Sequence, residues 1–167
     1  MTTSLPRPLL MTTGTERDVL EAFLDFHRGV VRSKVSGVSD EDARRRLVPS
    51  ETTLAGLIKH LTVVERTWFP ELLTGPSSPA PGADDGFQVG PAETIGSLIA
   101  GYDRACEVSR EVAAGFALDD VVTHPHPQLG QVSLRWIMVH VIEETARHAG
   151  HADILREQTD GATGVTG

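Results

Sequence analysis

Four side chains able to hold a metal ion or move a proton recur along one stretch near the C-terminus: His140, Glu144, His148 and His151. At about 100° per residue of α-helix they fall within an arc of roughly 80°. Ile137, Val141 and Leu155 lie on or beside that arc, so the stripe shares the face that an amphipathic helix turns to its core. Burying such groups without partners costs several kcal/mol, because their donors and acceptors lose water. A divalent metal ion would satisfy them. Glu144 and His148 stand four residues apart, which places them on adjacent turns within reach of one ion.

His60 is the matching oddity earlier in the chain, among Leu57, Leu61, Val64 and Trp68. In isolation such a histidine reads as structural, hydrogen-bonded to a carbonyl or a carboxylate. Opposite Glu144-x-x-x-His148 on a second helix, it reads as a third ligand. Three ligands with positions left open for water or substrate make a catalytic rather than a structural metal site. A site with open positions cannot use the whole stripe, so His140 and His151 are either ligands or groups that orient ligands and carry protons.

The remaining candidates are weaker. Glu143 should face solvent or pair with Arg147. His124 and His126 each precede a proline in a loop and read as exposed. His27 lies on an apolar face, either lining a cavity or satisfied within the core. Glu65 and Arg66, beside Trp68, read as structural ion-pair partners. Cys106, on an apolar face, reads as an inert core residue.

Spacing removes several metal and nucleophile classes. A zincin needs His-Glu-x-x-His, whereas the chain has His140-Val-Ile-Glu-Glu. The inverted form needs a histidine where Glu144 stands. A di-iron bundle needs two Glu-x-x-His motifs and two further glutamates; only one Glu-x-x-x-His is present. No glycine-rich phosphate loop occurs.

The elements that must position these residues are helices. Apolar residues recur at spacings of three and four over four segments, which predicts helices at about 15–34, 52–73, 92–114 and 133–157. Ser133 is a plausible N-cap for the last, and Ser39 for a short turn within Asp40–Arg46. The breaks are Val35–Ser50, the proline- and glycine-rich Gly75–Pro91 and Thr123–Gly130. Strand signals are nearly absent. The expected fold is all-α, a four-helix bundle. The expected organisation is a flexible N-terminus over 1–14, one domain over 15–160 and a flexible C-terminus over 161–167.

Length and composition set the outer bounds. A chain of 167 residues suits one domain, which at this size buries roughly 70% of its unfolded surface and needs no staple. The single cysteine excludes an internal disulfide framework and fits a reducing cytoplasm. Fifteen Lys and Arg against 23 Asp and Glu give a net charge of −8, the wrong sign for gripping phosphate backbones, so no nucleic-acid partner is expected. The longest mostly apolar run, Trp136–Ile142, is interrupted by His140; a spanning helix needs about 20 apolar residues. No membrane partner and no secretory signal are expected.

Three runs carry a family resemblance: Gly56-Leu-Ile-Lys-His60-Leu, Val64-Glu-Arg-Thr-Trp-Phe69, and Leu134-Arg-Trp136 through His140-Val-Ile-Glu-Glu144-Thr-Ala-Arg-His148-Ala-Gly-His151 to Glu157. From about Thr15 to Gly161 the chain resembles the DinB/YfiT-like superfamily of metal-binding four-helix bundles. It is most similar to the actinobacterial branch once labelled mini-circle proteins.

The resemblance implies a divalent metal on His60, Glu144 and His148. Glu144 departs from the commoner three-histidine pattern and resembles the His/Glu/His set of the related mycothiol-dependent maleylpyruvate isomerases. A carboxylate suits zinc, with nickel or manganese possible, and disfavours copper(I). Relatives that are thiol S-transferases imply a mycothiol-type thiol as cosubstrate, an electrophilic small molecule as its target, and His151 or His140 as general base. The alternative is a non-catalytic metal- or small-ligand-binding stress-response protein. A homodimer is compatible with either.

Overall fold

The computed structural model describes residues 8, 11–75, 86–122 and 124–164. Helix α1 (Glu16–Val35) starts where Thr15 accepts a hydrogen bond from the Asp18 amide and the Asp18 carboxylate accepts the Thr15 amide, a reciprocal capping box. Acidic Glu16 and Asp18 in its first turn and basic Arg32 and Lys34 in its last oppose the helix dipole. A single turn, α2 (Asp40–Ala43), follows on Ser39 as its cap, as the sequence suggests. Thr53 caps α3 (Leu54–Arg66). A π-helical stretch, Thr67–Glu71, and the short α4 (Leu72–Thr74) continue it. Thr94 and Ser97 form the capping box of α5 (Ile95–Ala114). Ser133 caps α6 (Leu134–Asp160), which ends at Gly161 in the left-handed conformation, φ 76°.

The four long helices α1, α3, α5 and α6 correspond to the four predicted segments, and the fold is an all-α bundle. Its details differ in one instructive place. The predicted second helix runs unbroken over 52–73, but Pro70 has no N–H to return to the Arg66 carbonyl, and the backbone there widens into the π-helical stretch. Helices α3 and α5 also begin later than predicted, because Thr53 and Thr94 take extended backbone and serve as caps.

Within the bundle α1 lies along α6 and α3 along α5, while α3 also meets α6 and α1. Leu57, Ile58, Leu61, Leu134, Ile137 and Val141 are all buried in the core these helices share; each such side chain contributes roughly 1.5–3 kcal/mol by leaving water. One ion pair is buried with them. Arg28 donates from Nε and Nη2 to the two carboxylate oxygens of Glu65, at 2.8 and 2.7 Å, and from Nη1 to Asp25 at 3.1 Å. Its guanidinium also sits 5.7 Å from the centre of the Phe69 ring. Glu65 is therefore the structural partner the sequence suggests, whereas Arg66 has no ion pair among the described residues.

The α5–α6 connection contains no named strand among the described residues, but antiparallel bridges Val121–Ser133 and His126–Gly130 fold it back on itself. No described helix is long and apolar enough to cross a membrane. Most of the expected flexible N-terminus (1–7 and 9–10), the middle of the Gly75–Pro91 loop (76–85), residue 123 and residues 165–167 lie outside the described residues.

Candidate metal centre

Helices α3 and α6 run antiparallel, as their ring contacts show. His60 meets His148 edge to face with centroids 4.8 Å apart. Two turns farther on, in the π-helical stretch that continues α3, Trp68 meets His140, two turns back on α6, at 4.3 Å. The seam between these helices therefore has a histidine–carboxylate end and an aromatic end.

At the first end the three predicted ligands converge. One ligand atom from each of His60, Glu144 and His148 lies within 4.8 Å of the others. His148 Nε2 and Glu144 Oε2 lie 3.3 Å apart. The other Glu144 oxygen, Oε1, accepts a hydrogen bond from Arg147 Nη1 at 2.9 Å. Arg147 also bridges to Glu143, the pairing expected from their spacing. Burial, reinforced by neighbouring His60, pushes the His148 imidazole down to about 4 against the pull of Glu144. Burial lowers His60 as well. Both rings are neutral at pH 7 and each keeps a lone pair to donate. Two neutral imidazoles and one carboxylate are a donor set that fits a borderline divalent ion such as zinc, nickel or manganese.

The surroundings hold these side chains in place. The Phe87 ring stacks on His60 at 4.2 Å and 13°. Gly56 lets that segment lie so close: a Cβ there would stand 2.9 Å from the Phe87 carbonyl oxygen. Phe87 follows a loop with no periodicity, so no pattern in the sequence points to it.

The other two members of the stripe diverge. His151 is exposed, and its Nδ1 lies 3.3 Å from Nδ1 of His148. It therefore backs the ring whose Nε2 faces Glu144. His140 is half-buried at the aromatic end, stacked on Trp136 at 5.1 Å and 15° as well as tilted against Trp68; burial lowers its pKa.

His126 differs from the exposed residue that its neighbouring proline suggests. It is half-buried and stacks on Trp68 at 5.1 Å and 6°, a contact supplied by the folded-back connection. His124 is exposed, with its ring against Gly75. His27 is half-buried, edge-on to Phe26 at 5.3 Å, and is not among the converging groups. Burial raises the Cys106 thiol to about 12, in keeping with an inert core residue.

Comparison with curated proteins finds no match. The family model for mycothiol-S-transferases, by contrast, matches residues 19–161. That span runs from α1 through the cap of α6 and takes in all three converging side chains, and the chain belongs to the mycothiol S-transferase family.

Proposed function

We propose that this protein is a divalent-metal-dependent S-transferase that moves a mycothiol-type thiol onto an electrophilic small molecule in a reducing cytoplasm. The observation that carries the reading is the convergence of His60, Glu144 and His148 within 4.8 Å, inside a chain of the mycothiol S-transferase family. These three residues would hold the ion, zinc being the best fit to the donors. When bound, such an ion lowers the pKa of a thiol so that thiolate is available near neutral pH.

The chain's own groups do the rest. His151 fixes the ring of His148 from behind, and Arg147 fixes the carboxylate of Glu144. The thiol proton passes to His140, which stands one turn from Glu144 on α6, since the one lone pair of His151 is taken up by His148. The sulfur then forms its bond to the electrophilic carbon. The carbon's leaving group departs with the bonding electron pair and takes up a proton from that histidine or from water. Cys106 is buried and takes no part, so the reacting sulfur comes from the small thiol.

The test is elemental analysis of untagged protein purified without chelator, beside His148→Ala, followed by conjugation of mycothiol to monobromobimane. About one equivalent of metal in the wild type and none in the variant is expected, with conjugation accelerated over buffer and the acceleration lost in Glu144→Ala. No metal in either protein, even after soaking and dialysis, would make the site structural and end the enzyme reading. Metal without acceleration would leave the non-catalytic binding protein in its place.

A further inference from the structure

The basic residues of this acidic chain are, with two exceptions among the described residues, committed to a partner. Among the described residues every lysine and arginine engages a carboxylate or a backbone carbonyl except Arg66 and Arg104. Those two come from different helices, α3 and α5, and line the same cavity of about 360 Å³. This is within the usual size of a small-molecule site.

The cavity's other polar groups are already committed. Lys59 is bound to Glu93 at 2.7 Å, and that carboxylate also accepts the Gly90 amide at 2.6 Å. The Thr62 hydroxyl donates to the Ile58 carbonyl, and the Ser97 hydroxyl to the Thr94 carbonyl. What remains uncommitted is two guanidinium forks on the two walls of one groove. Two unpaired like charges lining one cavity favour an anion there, on a protein of net charge −8. Guanidinium forks match phosphate and carboxylate oxygens in bidentate fashion.

We propose that the groove between α3 and α5 binds a small multivalent oxyanion, a phosphate monoester or a dicarboxylate, through Arg66 and Arg104. The inference goes beyond thiol transfer and does not depend on it. At about 100° per residue, the side chains that α3 sends to this cavity centre roughly a quarter-turn or more from His60.

Inorganic phosphate and, separately, succinate are titrated into the purified protein at low, matched ionic strength. Binding is followed by calorimetry and by the NMR signals of the arginine Nε–H groups. Both arginines are exposed, so Arg66→Gln and Arg104→Gln should fold, and circular dichroism checks it. Saturable binding of at least one anion is expected, weakened about ten-fold or more by either variant and lost in the double variant. Arg45→Gln, a charge change elsewhere on the surface, should leave it intact, as should His148→Ala. Tighter phosphate binding identifies a phosphate ester as the ligand class, and tighter succinate binding a dicarboxylate. Failure of both anions to saturate, or equal binding by the double variant, overturns the proposal.

Discussion

The Nδ1 atoms of His148 and His151 lie 3.3 Å apart across one turn of α6, while Nε2 of His148 points to Glu144. Only one hydrogen fits between the two nitrogens, so the pair selects the tautomer and orientation of the inner ring. His151→Ala should lower zinc affinity by about 10- to 100-fold, and His151→Gln, which can still accept a hydrogen bond, should restore most of it. Competition with a chromophoric chelator measures both. Full affinity in His151→Ala would show that the outer histidine positions nothing.

Gly56 is a remote route to the same site. A methyl group there meets the Phe87 carbonyl oxygen at 2.9 Å and Thr53 Oγ1 at 3.1 Å, so the segment carrying Phe87 must move off His60. Gly56→Ala should cost about 1–3 kcal/mol of stability and weaken metal binding with every ligand intact. Thermal melting of the metal-free protein and a metal titration separate the two effects. Lost stability with unchanged affinity would remove Phe87 from the site's support.

The Arg28–Glu65 pair makes a prediction about the core. Arg28 is 5% and Glu65 1% exposed, so removing one partner strands the other charge away from water. Arg28→Ala or Glu65→Ala should each cost about 3–5 kcal/mol in denaturant unfolding. Replacing both by apolar residues of similar volume should cost much less. Equal losses in single and double variants would mean that packing, and not the stranded charge, sets the penalty.

Acid should destabilise the metal-free protein through its buried histidines. Burial holds His27, His60 and His140 below their ordinary range, and His148 at about 4. Unfolded histidines titrate near 6.5, so the unfolded chain takes up protons first. This contribution to stability is present above about pH 6.5 and is lost as pH falls towards 4. The melting temperature should drop across that window, less steeply in His148→Gln. A flat profile would show that these rings protonate alike in both states.

Much of this was legible in the sequence because it is local. Helical spacing located the four long helices, and the same spacing set Glu144 and His148 on one stripe, since both facts depend only on the turn of a single helix. Which stripe members face His60 depends instead on how α3 crosses α6. His140 therefore shares the stripe but packs against two tryptophans, and His151 stands behind His148. Phe87 and His126 reach their ring partners from connections that carry no period. The π-helical stretch was hidden because Leu72 and Leu73 continue the apolar pattern beyond Pro70, masking the backbone group that the proline lacks.

Cys106 carries a further consequence. With its thiol raised to about 12, on the order of one molecule in 100,000 holds it as thiolate at neutral pH, and that sulfur is buried as well. The chain's own cysteine is thereby shielded from alkylation by electrophiles. In the bimane assay, fluorescence that grows with time then reports conjugation of the small thiol and not labelling of the protein.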